Sequence, residues 1–485
     1  MHFVIKAFPE IFVKSQAIRK YQIETLRRNL LKRVRRALPE VRSRVSKDWE
    51  KVEVELESES ERDLESLIQC LQSTPGVEKF SQITAFEFRD IEHICEVAMA
   101  NWADSVAGKS IAVRVKRSGK HSFRSVDIER KLGGLLVARA SATGVDLQDP
   151  QVLVELEVRK ERCFMLSQSW KGMGGYPLGT QGKALCLLSG GYDSSVAALH
   201  AIRRGQLVHF VFFNLGGRQH EVAVRRMAWY LWERYGSSAP VNFYSVPFDQ
   251  VTDEIGRLVP GQYGTLILKR QMMRAASRVA SVGGIHALIT GEAVGQVSTQ
   301  TLGNLRLVDE CVDRLVMRPL VYIDKGEIIR QAREAGTAEL AEASPEYCGL
   351  TSRKPTAHGK LMDVQEIEQR LSPKVLESAL QRMQKVPIEK LPASLQSLPV
   401  DILTSPIAGD TIVDVRHPDE TEDQPLNMDG FEVIEIPFFE VQKRLPEADN
   451  GGRYLLYCQR GIMSRLHAEL LLEAGFSRVG VYKPL

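Results

Sequence analysis

A glycine-containing loop between an apolar run and a helix-like run is the segment of this chain best suited to chemistry. Residues 184–197 read ALCLLSGGYDSSVA. The run Ala184–Leu188 predicts a buried parallel strand, and Ser194–Ala201 predicts a helix. Gly190 and Gly191 allow a tight bend and the close approach of a ligand, because neither carries a Cβ atom. The free N–H groups and the positive dipole end of the helix face that bend, so the segment predicts an anion-binding loop.

Asp193 distinguishes this loop from the common triphosphate loop, which carries Lys followed by Ser or Thr after its last glycine. Tyr192 and Asp193 occupy that place here. A carboxylate repels a bare phosphate, so we expect Asp193 to act through a metal ion bound to pyrophosphate. A plain glycine turn in a doubly wound fold is the structural alternative for the same residues.

Composition indicates an ordinary multidomain protein. The 485 residues are 44% hydrophobic and 26% charged, and such a length accommodates about three or four domains. No apolar stretch is long enough to span a bilayer, and the N-terminus lacks a secretory segment, so we expect a cytoplasmic protein with no membrane partner. The seven cysteines include no CxxC pair, which argues against a zinc ribbon or a local iron–sulfur motif. The oligomeric state stays open.

Basic residues cluster in two places, although the net charge is only +3. Residues 1–50 contain 13 Lys or Arg against 5 Asp or Glu, and residues 111–130 form a second basic block. Clusters of this kind favour contact with a polyanion, and a solvated helix face is an equally good reading of the charges alone. The candidate contacts are Arg27, Arg28, Lys32, Arg33, Arg114, Lys116, Arg117, Lys120, His121 and Arg124.

Alternating helix-like and strand-like segments predict an α/β multidomain protein. We predict a small N-terminal domain at 1–60, a small mixed-sheet domain at 61–165, and a doubly wound parallel-sheet domain at 166–385. A proline-bearing linker at 386–403 and a C-terminal α/β domain at 404–485 follow. The predicted elements include a basic helix at Ser15–Leu38 and strands at His2–Ala7, Lys51–Leu56, Ile111–Lys116, Val152–Val158, Leu207–Asn214, Val241–Val246 and Ala287–Thr290.

Two of the cysteines invite a chemical interpretation. Cys458 follows the apolar run RYLLY and precedes the helix-like run SRLHAELLLEAG. A thiol in such a bend receives backbone N–H groups and the helix dipole, and Arg460 and Arg465 add positive charge, so a thiolate is stabilised there. The usual role of a lone cysteine is that of a small buried hydrophobe. We expect this role of the remaining cysteines, which lie in strand or helix patterns: Cys70, Cys95, Cys163, Cys186 and Cys311. Cys348 lies in the polar stretch SPEYCGLTSRKP, and by itself that setting indicates a structural or incidental residue.

Taken in order, these segments resemble the tRNA uracil 4-sulfurtransferase (4-thiouridine synthetase) family over essentially the whole chain. AVRVKRSGKHSFRSVDIERKLG resembles the core of a THUMP domain, and Ser189–Ser194 resembles the PP-loop of ATP pyrophosphatases. GEAVGQVSTQT and RPLVYIDKGEI resemble the other nucleotide-site segments, and IVDVRHPDE and CQRGIMSR resemble a rhodanese domain. The resemblance implies a ferredoxin-like domain at 1–60, a tRNA-binding THUMP domain at 61–165, a PP-loop adenylation domain at 166–385 and a rhodanese domain at 404–485.

The resemblance also implies roles for individual residues. Lys325 would lie near the phosphates or the activated base, and Cys348 would form a redox-active disulfide with Cys458, which carries a persulfide. Lys269 and Lys325 are each expected at a helix start or a strand end, where a cation offsets charge on the α-phosphate. The implied persulfide loop contains Arg460, Gly461, Ser464 and Arg465. The implied site for ATP, which would bring Mg²⁺, comprises Leu187, Leu188, Ser189, Gly190, Gly191, Asp193, Ser194, Lys269, Gly291 and Gln300.

The reaction implied by the resemblance is ATP-dependent thiolation of tRNA. Adenylation of O4 of a uridine, at position 8 in the family, would be followed by sulfur transfer from Cys458 by direct persulfide attack or through released sulfide. A cysteine desulfurase would supply the sulfur, and a sulfur-carrier protein of thiamine thiazole synthesis would be a second acceptor. The linker would have to let the last domain swing, because a disulfide needs Cα atoms within about 7 Å of each other.

Two other classes of protein compete with this interpretation. An ATP-dependent amidotransferase or synthetase with the same loop would explain the adenylation site and leave Cys458 and the basic blocks without a role. A non-catalytic RNA-binding scaffold would need neither Asp193 nor a thiol at a helix start. A 2-thiolating enzyme with an iron–sulfur cluster is disfavoured by the missing CxxC pair.

Overall fold

The chain divides into two compact units, which are taken in turn. The first comprises residues 1–181, 203–205 and 237–239, and the second the remaining residues. The computed structural model describes residues 1–48, 51–215, 218–343, 355–394, 400–416, 421, 425–447, 451–458, 464, 467–468, 471–472 and 474–484. Among these, no helix is both long and apolar enough to cross a membrane.

The first unit is built on one eight-stranded sheet in the order β2-β3-β1-β4-β8-β7-β5-β6. Its strands are β1 (His2–Ala7), β2 (Ser43–Asp48), β3 (Lys51–Leu56), β4 (Val77–Glu87), β5 (Ser110–Ser118), β6 (Gly144–Val145), β7 (Val152–Arg159) and β8 (Arg162–Lys171). Its helices are α1 (Gln16–Ala37), α2 (Glu61–Gln72), α3 (Ile91–Val106) and α4 (Ser125–Arg139). The basic helix and the strands β1 and β3 have the bounds expected from sequence to within a residue.

Two hydrophobic cores pack on this sheet. The first is formed by α1, α2 and strands β1 to β4, and the second by α3, α4, β5, β7 and β8. Helix α2 therefore shares a core with the N-terminal residues, although the expected boundary at residue 60 separates them. The reason is the apolar face of α2, where Leu67 and Leu71 are fully buried against the first four strands.

Strand β8 is missing from the expected elements, which end this region with the strand at Val152–Val158. It pairs antiparallel with β7 on one side and with β4 on the other, so it joins the two halves of the sheet. Its second half, SQSWK, lacks the apolar alternation that marks a strand in sequence.

The sheet is strongly curved, as ion pairs between distant strands show. Lys51 Nζ lies 2.5 Å from Glu157 Oε2, and Arg159 Nη1 lies 3.1 Å from Glu53 Oε1. These pairs join β3 to β7, which would lie roughly 19 Å apart in a flat sheet with β1, β4 and β8 between them. The curvature brings charged side chains from both halves of the unit together on one face.

The N-terminal basic helix turns one of its charges inward. Arg33 is only 4% exposed. Its guanidinium donates hydrogen bonds to Thr74 Oγ1 at 2.9 Å, Ser73 Oγ at 2.8 Å and Ser237 Oγ at 3.1 Å. Arg33 is thus a structural residue of the first unit, in contrast to the polyanion contact expected from its charge.

The second unit contains a six-stranded sheet in the order β13-β12-β9-β10-β11-β14. Its strands are β9 (Lys183–Leu187), β10 (Leu207–Asn214), β11 (Asn242–Pro247), β12 (Ala287–Ile289), β13 (Leu315–Met317) and β14 (Gln384–Pro387). All pairings are parallel except that of β14 with β11. The chain builds β9, β10 and β11 in one direction and then returns to place β12 on the other side of β9, so the strand order reverses at β9 and β12.

Helices flank this sheet. They are α5 (Tyr192–Arg203), α6 (Arg218–Leu231), α7 (Asp249–Leu258), α8 (Gly264–Gly283), α9 (Leu302–Glu310), α10 (Lys325–Ala335), α11 (Ala338–Glu342), α12 (Leu361–Glu368), α13 (Pro373–Gln381) and α14 (Leu391–Ser394). Helix α5 begins at Tyr192, two residues before the expected start, so Asp193 lies in its first turn.

The beginning of the expected linker belongs to this sheet. Residues 384–387 form the edge strand β14, and the buried Ile388 and Leu391 follow it. The prolines suggested an extended linker, and an edge strand also tolerates proline because its outer side needs no backbone N–H donor.

The C-terminal part of the second unit contains a five-stranded parallel sheet in the order β15-β19-β18-β16-β17. Its elements are β15 (Ile402–Leu403), β16 (Asp410–Asp414), β17 (Glu432–Glu435), α15 (Phe438–Glu447), β18 (Arg453–Tyr457) and β19 (Val479–Tyr482). The apolar run before Cys458 forms β18, the central strand of this sheet.

We predict that Arg33→Met destabilises the protein, because it leaves the buried hydroxyl groups of Ser73 and Thr74 and the half-buried hydroxyl of Ser237 without their donor, at a cost of roughly 2–3 kcal/mol. Arg28 is exposed on the same helix, so Arg28→Met should leave stability within about 0.5 kcal/mol of the parent. Urea denaturation of both variants measures the difference. Equal stabilities would contradict the structural role of Arg33.

Candidate functional site: a loop at the sheet reversal and a buried thiol

The loop after β9 is shaped by one glycine and two serines. Gly190 has φ +88°, a left-handed conformation that glycine adopts without strain. Ser194 Oγ accepts a hydrogen bond from the Ser189 N–H at 3.2 Å and lies 3.1 Å from Ser189 Oγ. A Cβ atom on Gly191 would have no neighbour closer than 3.7 Å. The loop is therefore closed internally by its serines and open on the side of Gly191.

Gly291 brings the segment after β12 against this loop. A Cβ atom at Gly291 would lie 2.5 Å from the carbonyl carbon of Asp193 and 2.7 Å from the Ser194 nitrogen. Only glycine permits this approach, since real Cβ contacts are longer. Because β9 and β12 flank the point where the strand order reverses, the site lies where doubly wound sheets bind ligands.

Asp193 is held by two side chains from other segments. Its Oδ1 lies 2.7 Å from Lys325 Nζ, and its Oδ2 accepts a hydrogen bond from Gln296 Nε2 at 3.0 Å. Lys325 is the first residue of α10, as expected, and its ammonium also lies 5.5 Å from the ring centroid of Tyr192. The structure thus brings Asp193 and Lys325 together.

Lys269 is held at the site by an ion pair with the buried carboxylate of Glu292. It lies in the second turn of α8, within the helix rather than at its start, which corrects the sequence expectation. Its Nζ lies 2.9 Å from Glu292 Oε1, and Arg318 Nε lies 3.0 Å from Glu292 Oε2. Burial of Glu292 favours the neutral acid, but the positive charges of Lys269 and Arg318 outweigh it and lower the pKa of Glu292.

The remaining expected nucleotide residues line the same end of the sheet. Leu187 ends β9, and the Leu188 N–H donates to Val211 O of β10 at 2.9 Å. Gln300 is buried, and its Oε1 has no hydrogen-bond partner among the described residues. His220 Nε2 lies 3.0 Å from Ser189 O, and burial lowers the pKa of this histidine, so it is a neutral support of the loop.

Cys458 lies directly after the central strand β18 and is 8% exposed. The Ser464 N–H donates to Cys458 Sγ at 3.3 Å, and Ser464 Oγ lies 3.4 Å from the same sulfur. Asp414 and Arg416 form a buried ion pair at 2.6 Å, and the Arg416 guanidinium lies 5.4 Å from the ring centroid of Tyr457. The thiol thus has a backbone donor and a hydroxyl within reach, with an arginine beside the preceding residue.

Four of the expected sulfur-site residues lie outside the described residues. They are Cys348, Arg460, Gly461 and Arg465. Among the cysteines expected to be core residues, burial raises the pKa of Cys95 to about 11 and of Cys163 and Cys186 to about 12. These three thiols and the buried Cys70 are confirmed as core residues, and Cys311 is half-buried.

The expected polyanion contacts differ in their exposure. Exposed side chains belong to Arg28, Lys32, Arg114, Lys116, Lys120 and Arg124. Arg27 is half-buried and paired with Glu24 at 2.7 Å, and Arg117 lies 2.9 Å from the ring nitrogen Nδ1 of His121. Lys6 of β1 is half-buried, and burial and then the nearby charge of Lys116 lower its pKa.

Sequence reasoning missed several residues that the fold brings to the loop. Gln296 and Glu292 both lie in GEAVGQVSTQT, the segment that contains the expected residues Gly291 and Gln300, and Arg318 is the first residue of RPLVYIDKGEI. A signal was therefore present in these motifs. His220 carried none, because a lone histidine in a helical run has no spacing that points to the loop.

A glycine loop at the reversal of a doubly wound sheet, with an aspartate and two lysines around it, defines an α/β nucleotide-binding protein. A family model described as Thiamine biosynthesis protein (ThiI) matches residues 179–372, and one described as THUMP domain matches residues 87–167. The tRNA sulfurtransferases of Pseudomonas paraeruginosa and Saccharophagus degradans are 44% and 41% identical to this chain over 485 residues, with full coverage of each chain. The chain belongs to the tRNA sulfurtransferase family.

A solved structure extends the similarity. The crystal structure of a 4-thiouridine synthetase–RNA complex with bound ATP superimposes with a TM-score of 0.70 at 27% sequence identity. The match covers 80% of this chain and 99% of that one.

We predict that Gly291→Ala weakens ATP binding at least tenfold, because the new Cβ must push the backbone of Asp193 and Ser194 out of place. Gly303→Ala is the control, since a Cβ at Gly303 meets no atom within 4 Å. Equilibrium titration with ATP measures both variants. Equal affinities would show that the loop tolerates displacement.

Proposed function

We propose that this chain is an ATP-dependent tRNA sulfurtransferase that converts a uridine, at position 8 by family resemblance, to 4-thiouridine. The observation that carries this proposal is the contact of Gly291 with the Asp193–Ser194 backbone at the sheet reversal, in a chain 44% identical over its full length to a tRNA sulfurtransferase. The geometry supplies a nucleotide site, and the family supplies the acceptor.

ATP is placed by the loop and its surroundings in this proposal. The N–H groups at the start of α5 bind phosphate oxygens on the open side of Gly191. Lys269 retains donors beyond the one that Glu292 accepts, so it can also contact a phosphate. Gln300 Oε1, buried and without a partner among the described residues, is an acceptor for an N–H group such as the adenine amino group.

Asp193 fits the expectation of a carboxylate that contacts Mg²⁺. Carboxylate oxygens are ligands that Mg²⁺ prefers, and Mg²⁺ bound with ATP would neutralise phosphate charge. Both oxygens of Asp193 are engaged by Lys325 and Gln296. Each carboxylate oxygen has two lone pairs, so Asp193 would hold a metal ion without losing these partners, and the ammonium of Lys325 retains donors for a phosphate oxygen.

The first chemical step is adenylation. Uridine O4 attacks the α-phosphorus, the bond to the β-phosphate oxygen breaks, and pyrophosphate leaves. Lys269 and Lys325 offset the negative charge that grows on the phosphate oxygens. The base oxygen, a poor leaving group in uridine, then departs as part of AMP.

The second step replaces that oxygen by sulfur. The terminal sulfur of a Cys458 persulfide attacks C4 of the base, and AMP leaves. Attack of the Cys348 thiolate on Cys458 Sγ then breaks the S–S bond, leaves the sulfur on the base and forms a Cys348–Cys458 disulfide. Alternatively, the same attack occurs first and releases hydrosulfide, which then attacks C4. Either route ends with a disulfide that takes two electrons to reduce.

The surroundings of Cys458 support its role as the sulfur carrier. The Ser464 N–H and hydroxyl lie within 3.4 Å of Cys458 Sγ, and hydrogen-bond donors stabilise anionic sulfur. The parallel five-stranded sheet around β18 is compatible with the expected rhodanese domain at 404–485.

The first unit is the proposed tRNA-binding part. It contains the THUMP match at 87–167 and the exposed basic side chains of α1 and β5. We assign the ferredoxin-like part to the first hydrophobic core, to which residues up to Phe80 and also Trp170 and Tyr176 contribute, and the THUMP part to the second. A PP-loop adenylation domain follows up to the edge strand β14.

Two protein partners complete the proposal. A cysteine desulfurase supplies sulfur to Cys458, and a sulfur-carrier protein of thiamine thiazole synthesis is a second acceptor. The description of the matched family model, Thiamine biosynthesis protein, favours this second role.

We predict that Cys458→Ser abolishes formation of 4-thiouridine and retains tRNA-dependent pyrophosphate release, because only the sulfur carrier is lost. Nucleoside analysis of tRNA incubated with ATP, Mg²⁺, desulfurase and cysteine measures the product. Cys163→Ala is the control, since this core thiol lies outside the sulfur site. Mass spectrometry of the parent after one turnover should show a Cys348–Cys458 crosslink, and reduced thiols alone would contradict the second step.

We predict that Asp193→Asn lowers tRNA-dependent pyrophosphate release at least a hundredfold and leaves tRNA binding unchanged, because the charge that contacts Mg²⁺ is lost. Asp249→Asn, which alters an ion pair with Arg382 elsewhere in the unit, is the control. Full retention of activity in Asp193→Asn would contradict the proposed site. Pyrophosphate release with ammonia and a carboxylate, but not with tRNA, would favour the amidotransferase alternative.

A further inference from the structure

Glu292 is a buried carboxylate with every oxygen engaged. Its Oε1 accepts from Lys269 Nζ at 2.9 Å, and its Oε2 accepts from Arg318 Nε at 3.0 Å and from Thr290 Oγ1 at 3.1 Å. Its side chain is 10% exposed. A carboxylate shared by two cations in such a setting holds both of them in place.

Arg318 is a support within this cluster. Its Nη1 and Nη2 donate to Asp309 at 2.9 and 2.7 Å, while its Nε donates to Glu292. Its side chain is also only 10% exposed, so its planar fork is occupied by the two carboxylates. Arg318 therefore fixes the carboxylate of Glu292, and the ligand-binding cation of the cluster is Lys269.

The restraint by Glu292 matters most for Lys269, because it reduces the conformational freedom that this side chain loses when it binds a ligand. A free lysine side chain samples many rotamers, and part of that freedom is lost when it binds a ligand. Its side chain is 24% exposed, so it is accessible, and Glu292 already restrains its ammonium. The restraint is tied to the loop, because Glu292 directly follows Gly291, whose backbone abuts Asp193 and Ser194.

We infer that Glu292 is a positioning residue for ATP: its carboxylate, clamped by Arg318, presets the ammonium of Lys269 for the nucleotide phosphates. The inference rests on the proposed function, since it concerns how the same site binds ATP. Glu292 acts through Lys269 and does not itself contact the nucleotide.

Glu292 could act only through its negative charge or by positioning Lys269. These two roles predict opposite effects of Glu292→Gln on the affinity for ATP. If Glu292 acted only as a negative charge, its removal would tighten the binding of a polyphosphate anion. If it positions Lys269, the loss of a charge-assisted hydrogen bond loosens the lysine and weakens binding about tenfold. The sign of the change in affinity therefore separates the two roles.

Glu368 provides a matched control in the same unit. Its side chain is also 10% exposed, and it also receives two cations, Arg270 at 2.9 Å and Arg274 at 2.7 Å. Arg270 is the helix neighbour of Lys269. Glu368→Gln thus makes the same chemical change at the same burial on a carboxylate that contacts neither Lys269 nor the loop in any hydrogen bond found among the described residues.

The experiment is calorimetric titration of the full chain with ATP and Mg²⁺, together with thermal unfolding in the absence of nucleotide. We expect both glutamine variants to lower Tm, E292Q to raise the Kd for ATP about tenfold, and E368Q to leave it within twofold. In tRNA-dependent pyrophosphate release, E292Q should raise KM for ATP with kcat within about threefold. Glu292→Asp, which keeps the charge on a shorter side chain, should bind with intermediate affinity and carries the test if E292Q does not fold.

Tighter or unchanged ATP binding by E292Q overturns the inference and leaves the proposed function intact. Equal weakening by E292Q and E368Q also overturns it, since the effect would then be general loss of structure. Absence of ATP binding by the parent chain overturns the proposed function and, with it, the role of Glu292.

Discussion

The approach of Gly291 to the backbone of Asp193 and Ser194 joins two segments that follow β9 and β12, and the rest of the candidate nucleotide site depends on it. The two strands flank the reversal of strand order, where doubly wound sheets bind ligands. Because no side chain separates the two backbones, their contact fixes the positions of the polar residues next to it, which include Asp193 and Glu292. Glu292 directly follows Gly291 in the sequence, and Gln296 lies a few residues further along the same segment.

Around that contact, the charged side chains of the site form ion pairs. Asp193 pairs with Lys325, and Glu292 pairs with Lys269 and Arg318. Unpaired cations close together at the ends of these strands would repel each other. Cations paired with carboxylates can lie close together, because the negative charges offset that repulsion. In the proposed function, Glu292 holds Lys269 in place for the nucleotide, and Lys325 lies beside Asp193 at the loop.

The first unit shows how far charge alone can mislead. The basic helix α1 carries cations on several faces, and one of them, Arg33, is buried on three hydroxyl groups. Charge counts cannot separate such a residue from the exposed Arg28 or Lys32, because all three lie in one helix-like run. The curvature of the sheet has the same origin in tertiary packing, since ion pairs join strands that sequence places far apart.

By itself, the sequence determined the local elements and the chemistry-bearing motifs: the strand and loop before Asp193, the strand before Cys458 and most strand bounds followed from apolar runs and glycines. These features are local, so periodicity and residue type suffice to find them. The tertiary structure decided which groups meet, such as Lys269 with Glu292, and which basic residues are buried. It also turned the proline-bearing residues 384–391 into an edge strand and its continuation. Such outcomes depend on contacts between residues distant in the chain, which no local pattern records.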